Sequence, residues 1–552
     1  MSTRDYIDGN SSEGYKFFGP HKKDKGYIFR LYAPNAKKVY LLGDFNDWQK
    51  KAMRKYKTGV FSLSVSNAKA NDSYMYTIQT DDGEFKKIDP FSKEISYEED
   101  SSIIVENSYK FKHKKPSTKT KNILQVHLAS LFKNNSKPGQ IYDRLLAYAK
   151  ENKYTSILLM PINEYQNYKS MGYSPLSLFS FSNRHGSLYD FMEFIDKAHK
   201  EKIQVIGEID ISQFDPDPTG LITYDGSNVY NYDYDDITYN YYGSVNFDPG
   251  KNITRSYIKS AISLYLDYYK LDGVSLVSID NMIYWQADSN RGVNKKWTNF
   301  IKDLVDLIKD KNSLALASYN GYYQGFDFGF DLVFDNRSKS LVHMLKDLPI
   351  NRENYKKHIL RIIEETSYKN LLGFTYLDST INEASVAMKM YSNDKKGDQF
   401  KSLLTFLYSQ KSPKMLFMGD DFANLKTFSI YDPFSFTKKI ERIDHVNDYY
   451  KDVAKLYVET KALSDEDSKI EVLDIEGYSL YAYKKIYKDE VYLVIVNFTD
   501  LDYQIESPYD LDELLNTNDL RYGGSGNING KLKMGDLINL QGFSSAIFKL
   551  NK

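Results

Sequence analysis

The sequence predicts an α/β protein in which a central (β/α)8 barrel of the TIM type is flanked by an N-terminal and a C-terminal β-sandwich. Three observations lead to this prediction. Alternating apolar and polar residues recur near both ends of the chain, as half-buried strands require. Between the ends, eight short apolar runs alternate with amphipathic helical stretches, which is typical of parallel barrels. The 552 residues are enough for such a barrel and two further domains.

The N-terminal β-sandwich is predicted for residues 1–115. The stretch GYIFRLYAPNAKKVYLLGDFNDW contains two alternating runs separated by an APNA turn. GVFSLSVS and SYMYTIQTDDGEF continue the pattern, and the Asp82-Gly83 pair favours a hairpin turn. The polar stretch KHKKPSTKTK follows and is interpreted as a linker.

The barrel is predicted for residues 122–455. Its eight strand candidates are NILQVHL, TSILLMPI, IQVIGEIDI, GVSLVSI, SLALASY, DLVFDN, LLGFTYL and KMLFMG. Amphipathic stretches such as YDRLLAYAKEN and YDFMEFIDKAHKEK lie between them. Strand patterns return in SLYAYKKI, EVYLVIVNF and SSAIFKL, which predicts the second β-sandwich at residues 456–552.

Composition excludes several classes of function. The net charge of -1 gives no electrostatic basis for binding nucleic acid or an acidic membrane. There is no cysteine, so disulfides and thiolate metal sites are impossible. We expect no metal and no cofactor, because the eight histidines show no close metal-binding spacing. The chain lacks an apolar run of about 18 residues and an N-terminal signal pattern, so we expect a cytoplasmic protein.

In barrels of this kind the reacting groups lie at the carboxyl ends of the strands. Glycoside chemistry needs two carboxyl groups, about 5–5.5 Å apart for retention or about 6.5–9.5 Å apart for inversion. The sequence provides no obvious pair on neighbouring strands, and the fifth strand candidate carries no acid. The residues at the relevant strand ends are Glu208, Asp210, Gln213, Ser275, Val277, Asp280, Ser318, Tyr319, Asn320 and Asp378.

Several longer stretches carry a family resemblance. They are FRLYAPNAKKVYLLGDFNDW, VHLAS, MGYSPLSLFSFSNRHGSLYDFMEFIDKAH, GLITYDGSNVY, KMLFMGDDFA and LLNTNDLRYGGSG. In this order the chain resembles the 1,4-α-glucan (glycogen) branching enzymes of the α-amylase superfamily, glycoside hydrolase family 13. The first stretch resembles a carbohydrate-binding module of family 48. The resemblance extends over essentially the full chain and implies the same domain order.

The catalytic motifs of that family are degenerate here. The resemblance puts Val277 at the position of the nucleophilic Asp and Ser275 at that of its supporting Arg. Ser318 stands at the acid/base Glu position. Gln213 replaces a substrate-binding His, and Glu208 replaces an Asp. Valine has no nucleophile, and a serine hydroxyl cannot deliver a proton to a leaving oxygen near neutral pH. We therefore expect no catalytic residue at these positions.

One carboxylate is a possible remnant. Asp378 either keeps the position of the family's transition-state-stabilising Asp or lies one residue away from it. Rescue by relocated acids would require Glu208 or Asp210 to pair with Asp378 across the barrel mouth, or Asp280 to fold back. The alternative for each of these groups is a solvated loop carboxylate or a helix cap.

The expected substrate-binding residues are Tyr173, Trp48, Gln213 and Trp285. Tyr173, in MGYSP, matches a tyrosine that lines the sugar-binding mouth in this superfamily, and simple packing is the alternative. Trp48 occupies a position of the family 48 module where it either packs in the core or contacts glucan. Trp285 follows the fourth strand candidate, as does Trp297, and each is a possible stacking residue in a cleft.

The remaining aromatic and histidine features have ordinary explanations as alternatives. The stretch NYDYDDITYNYY at 231–242 is acidic and aromatic, which suits the binding of calcium or sugar. The alternative is a solvated loop without a ligand. The 49 tyrosines suit sugar stacking or reflect codon bias. His127 and His185 are interpreted as structural residues.

The sequence thus favours a branching-enzyme homologue of glycogen metabolism that has lost catalysis, a pseudoenzyme that binds α-glucan or regulates another glycogen enzyme. The first alternative is an active branching enzyme or α-glucan transferase with relocated carboxylates. The second is a protein-interaction scaffold without sugar affinity. The expected partner is a glycogen-like or starch-like α-glucan, and another glycogen-metabolism enzyme is a further candidate.

Overall fold

The computed structural model describes residues 3–96, 98–106, 109–133, 136–317, 326–380, 384–436, 442–473, 475 and 480–551. Two compact units make up the chain. The first unit comprises residues 1–116, 127–143 and 159–331, and the second comprises residues 117–126, 144–158 and 332–552. No helix in the described part of the chain combines the length and apolar character needed to cross a membrane.

Two antiparallel sheets form the N-terminal part of the first unit. The smaller sheet has the strand order Gly19–Lys22, Tyr27–Tyr32, Val60–Val65 and Arg54–Lys55. The larger sheet has the order Phe181–Ser182, Glu94–Ser96, Ser101–Ile103, Ser73–Gln79, Lys38–Gly43 and Lys51–Ala52, and Glu84–Lys87 also pairs with Ser73–Gln79. The strand Phe181–Ser182 lies outside the predicted β-sandwich residues and joins the sheet through parallel pairing with Glu94–Ser96.

Eight parallel strands close into a barrel, which confirms the predicted fold class. Each of the eight strand candidates contains one barrel strand. We number these strands β1 to β8 in chain order: Asn122–Val126, Ser156–Leu159, Gln204–Ile209, Gly273–Leu276, Leu314–Ala317, Leu332–Phe334, Asn370–Gly373 and Lys414–Phe417. Nearly all their residues are buried, as the continuous apolar runs predict for strands covered on both faces.

Helices lie between the strands, and the helix Lys396–Tyr408 is buried on all sides from Gln399 onward. The helix Leu188–Lys200 begins at a capping box in which the Ser187 hydroxyl accepts from the Asp190 amide, which satisfies an amide without an intrahelical partner. The described α-helices are Thr3–Ile7, Leu128–Phe132, Pro138–Glu151, Leu188–Lys200, Asp235–Thr238, Asn252–Ser263, Ile279–Ile283, Lys295–Asp310, Ser338–Lys346, Lys356–Glu364, Lys396–Tyr408, Val446–Glu459 and Lys461–Ser464.

The C-terminal part of the second unit is again a pair of sheets. The larger has the order Lys469–Leu473, Leu480–Tyr487, Glu490–Asn497, Ser545–Leu550, Leu511–Asn516 and Lys531–Leu532, and the smaller pairs Tyr503–Glu506 with Leu537–Leu540. One apolar cluster contains Leu493 and Phe548 from the larger sheet and Ile538 and Leu540 from the smaller one. The two sheets therefore share a core, as in a β-sandwich.

Candidate functional site

In the first unit, the ends of strands β3 and β4 lie side by side. The parallel register pairs Glu208 with Ser275, so the residues that follow both strands emerge at the same edge of the sheet. Glu208 is buried, and its carboxylate Oε2 accepts a hydrogen bond of 2.6 Å from the Tyr173 hydroxyl. Tyr173, the tyrosine that the sequence predicts to bind sugar, therefore contacts a carboxylate at the end of β3.

Asp210 is the centre of the polar network at this edge. Its Oδ1 accepts from the Ser212 amide at 2.9 Å and the Ser212 hydroxyl at 2.6 Å. Its Oδ2 accepts from the Ser278 hydroxyl at 2.7 Å and from Gln213 Nε2 at 3.1 Å. Burial raises the pKa of the Asp210 carboxyl to about 6, although these hydrogen bonds oppose the shift. Sequence reasoning named Asp210 but missed its serine partners.

Gln213 connects three segments of the site. Its amide nitrogen donates to the Tyr173 carbonyl at 2.9 Å as well as to Asp210. Its amide oxygen accepts a hydrogen bond from Asn240 Nδ2. Gln213, which the resemblance predicts at the family's substrate-binding His position, thus joins the end of β3, the Tyr173 segment and the 231–242 loop.

The sequence resemblance predicts Val277 and Ser275 at the positions of the family's nucleophile and its supporting Arg, and the structure buries both side chains. Val277 follows β4, is 6% exposed, and donates its backbone amide to the Ile209 carbonyl at 3.3 Å. Ser275 is fully buried within β4. Asp280 lies in the first turn of the helix Ile279–Ile283. Ser318, with Tyr319 and Asn320, lies outside the described residues.

In the second unit, buried carboxyl groups follow the neighbouring strands β7 and β8: Asp378 after β7, and Asp420 and Asp421 after β8. Asp378 Oδ2 accepts from the Thr375 amide at 2.9 Å and the Thr375 hydroxyl at 3.3 Å, so this carboxylate caps its own turn. Burial raises the pKa of Asp378. Burial and the charge of Asp378 raise the pKa of Asp420 well above its usual range. Sequence reasoning missed Asp420 because it did not extend past the seventh strand, although GDDFA directly follows the eighth.

The three tryptophans have different environments. Trp48 is 40% exposed, and its indole nitrogen donates to Asp44 Oδ1 at 3.0 Å. The ring of Trp285 lies 5.7 Å from that of Tyr232, beside a cavity of about 10 Å³, which is room for a water molecule and too small for a sugar ring. Trp297 is buried in the helix Lys295–Asp310, so it packs in the core and does not line an open cleft.

The two histidines singled out from the sequence are buried and neutral at pH 7. His127 Nδ1 lies 2.8 Å from the Ser130 hydroxyl, and burial lowers its pKa to about 4. His185 packs between the rings of Phe132 and Phe181, and burial lowers its pKa to about 3. No cluster of three potential metal ligands occurs among the residues that the structure describes.

Residues 17–92 match the family of carbohydrate-binding module 48, described as the isoamylase N-terminal domain. A 1,4-alpha-glucan branching enzyme of Bacillus cytotoxicus is 26% identical over 94% of this chain and 88% of its own length. One from Fusobacterium nucleatum is 27% identical over 94% and 91%. The crystal structure of an Anoxybacillus pullulanase complexed with maltotetraose superposes with a TM-score of 0.79 at 13% identity, over 99% of this chain and 89% of the pullulanase.

These findings define the class of protein: a closed eight-stranded parallel barrel with the fold of the pullulanase, preceded by a region that matches carbohydrate-binding module 48. Within that class, the predicted resemblance is confirmed by relatives that match almost the whole chain. The chain is similar over almost its whole length to 1,4-alpha-glucan branching enzymes.

Proposed function

We propose that this chain is an α-glucan-binding protein whose barrel has lost the branching reaction. The observation that carries the proposal is the environment of Val277. A buried, apolar side chain occupies the position where the resemblance puts the nucleophile. The nearest carboxylate network, centred on Asp210, is hydrogen-bonded to Ser212, Gln213 and Ser278.

Loss of the reaction follows from the chemistry of the missing groups. A retaining transfer needs a nucleophilic carboxylate and an acid/base carboxyl on opposite sides of the scissile bond. Valine supplies neither an attacking oxygen nor a proton. Glu208 is engaged by the Tyr173 hydroxyl at 2.6 Å, and Asp378 caps its own turn through Thr375. Each of these acids has a structural role that accounts for its presence.

Glucan binding is supported by the match of residues 17–92 to a carbohydrate-binding module. It is also supported by the similarity of the chain to 1,4-alpha-glucan branching enzymes. The pullulanase structure complexed with maltotetraose supports the same class of ligand. Within the module, the partly exposed Trp48 ring is held at its indole nitrogen by Asp44. A fixed, accessible aromatic face suits the apolar face of a glucose ring, because stacking removes apolar surface from water without ordering a flexible side chain.

The first test is a branching assay. Incubated with amylose, the purified chain is expected to produce no α-1,6 branch points and no new reducing ends. Its rate should lie about 10⁴-fold or more below that of an active branching enzyme assayed in parallel, since catalytic residues act as a unit. The matched control is the Glu208→Ala/Asp378→Ala variant, which should behave like the wild type.

A competing function is an active transferase with relocated acids. The observation in its favour is the raised pKa of Asp210, about 6, which is suitable for a general acid near neutral pH. Branch points that form with the wild type and vanish in Glu208→Ala/Asp378→Ala or in Asp210→Asn would establish this function and refute ours.

The second test concerns binding through the module. We expect Trp48→Ala to weaken retention on a glycogen-containing native gel about tenfold, because one stacked ring contributes roughly 1.4 kcal/mol. Trp48→Phe should keep most of the affinity, since it keeps a ring. Wild-type protein that migrates unretarded at every glycogen concentration would eliminate the glucan-binding claim and favour the scaffold alternative.

A further inference from the structure

The loop of residues 231–242 exposes an unusual set of aromatic rings, and we call it the tyrosine loop. Four of its tyrosines are largely exposed: Tyr234 by 71%, Tyr239 by 47%, Tyr241 by 96% and Tyr242 by 84%. The rings of Tyr241 and Tyr242 lie 5.6 Å apart, edge to face. Large aromatic side chains kept together in water mark a binding surface more often than isolated exposed residues do.

The tyrosine loop is held in place by a dense set of hydrogen bonds. Asn240 Oδ1 accepts from the amides of Tyr242 at 3.0 Å and Ser244 at 3.1 Å. Gln286 Nε2 donates to the carbonyls of Asp236 and Tyr239, each at 2.9 Å. A surface already ordered in this way loses little conformational entropy when it takes up a ligand.

The loop is also bonded directly to the candidate site. The side chain of Asn240, directly before Tyr241 and Tyr242, donates to Gln213. Ser244, just beyond the loop, donates its hydroxyl to that of Ser174 at 2.8 Å, and Ser174 follows Tyr173 in the chain. The tyrosine loop is therefore attached to the edge of the barrel that carries Tyr173 and Gln213.

The acidic residues of the tyrosine loop favour a neutral ligand over an anionic one. The loop carries Asp233, Asp235 and Asp236 and contains no lysine or arginine. Lys251 and Arg291 pair with two of these carboxylates, Asp233 and Asp236, and Asp235 is exposed. Acidic groups repel phosphates and nucleic acids, whereas a neutral polyhydroxylated ligand can donate hydrogen bonds to them and stack on the rings.

We propose that the tyrosine loop is a docking surface for an α-1,4-glucan chain, with the rings of Tyr241 and Tyr242 as its stacking groups. This inference rests on the proposed glucan-binding function and adds a second contact surface, apart from the module that contains Trp48. The surface would seat a segment of the polymer next to the barrel mouth while the module binds another segment.

The test measures binding of maltoheptaose and of glycogen to the full chain by calorimetry and affinity electrophoresis. The variants are Tyr241→Ala/Tyr242→Ala and Tyr241→Phe/Tyr242→Phe, each made in the wild-type and the Trp48→Ala background. We expect the alanine pair to weaken binding about tenfold or more and the phenylalanine pair to retain it. Tyr189→Ala is the matched control, because Tyr189 is 52% exposed and lies outside the tyrosine loop.

Each outcome decides the question. Weakening by the alanine pair but not by Tyr189→Ala, with unchanged thermal unfolding, supports the docking surface. Unchanged affinity of the alanine pair in both backgrounds overturns it and leaves the proposed function intact. No binding by the wild type refutes the proposed function, and the docking surface with it. Equal losses for the alanine pair and Tyr189→Ala overturn the assignment to this loop.

Discussion

Replacing Lys485 by methionine is expected to raise the free energy of unfolding by about 4 kcal/mol at pH 6. Lys485 lies in the strand Leu480–Tyr487 and is fully buried. Its Nζ has no hydrogen-bond partner among the described residues. Burial, with a further contribution from the charge of Lys411, lowers the pKa of Lys485 to about 7.

The direction of the pH dependence follows from this pKa. The unfolded chain holds the proton of Lys485 up to about pH 10.4, whereas the folded chain releases it near pH 7. Between these values the unfolded state binds more protons, so stability rises with pH. Below pH 7 the folded state carries the full penalty of a buried ammonium group. Methionine has a similar shape and no charge. The Lys485→Met variant therefore loses both the cost of burying an ammonium group and the rise of stability with pH.

The measurement is urea unfolding of wild type and Lys485→Met from pH 6 to pH 9. The control is Lys549→Met, at an exposed position on the strand Ser545–Leu550, which lies two strands away in the same sheet. It should change the stability by less than about 0.5 kcal/mol. A wild-type stability that is flat with pH, or a Lys485→Met variant less stable than wild type at pH 6, would contradict the prediction.

The second large effect is expected for Asp210→Asn, which should stabilise the fold by about 2 kcal/mol at pH 8. The pKa of Asp210 is about 6 in the folded chain and about 3.9 when unfolded. Between these values the folded state binds more protons, so stability falls as pH rises, and the loss is complete above pH 6. Asparagine carries no charge and can still accept from Ser212.

This variant also tests the role of Asp210 in function. Under the proposed function, Asp210→Asn retains wild-type affinity for glycogen, because the carboxylate is a buried junction and does not contact the ligand. Its stability gain should shrink towards zero at pH 4. The control is Asp24→Asn, at an exposed position of the first unit, which should change the stability by less than about 0.5 kcal/mol. A variant that loses stability at pH 8 would mean that the ionised form is favoured by its four hydrogen bonds.

The sequence alone predicted the barrel correctly. All eight strand candidates contain barrel strands because strands buried on both faces appear as short continuous apolar runs, a local property of the chain. The two flanking sheet regions were likewise visible in alternating patterns. The replacement of the family's catalytic acids at Val277 and Ser318 stays a prediction, because it follows only from the resemblance and the residue type.

Other features depended on the tertiary structure, because burial and hydrogen-bond partners come from segments far apart in the chain. Ser278 and Ser212 meet at Asp210 only because β3 and β4 are neighbours in the barrel. Tyr241, in the segment after β3, and Trp297, in the segment after β4, are both aromatic, yet Trp297 is buried and Tyr241 is almost fully exposed. Residue type and spacing alone cannot distinguish these environments. The sequence by itself determined the architecture, whereas packing decided which carboxylates are engaged and which aromatic rings face solvent.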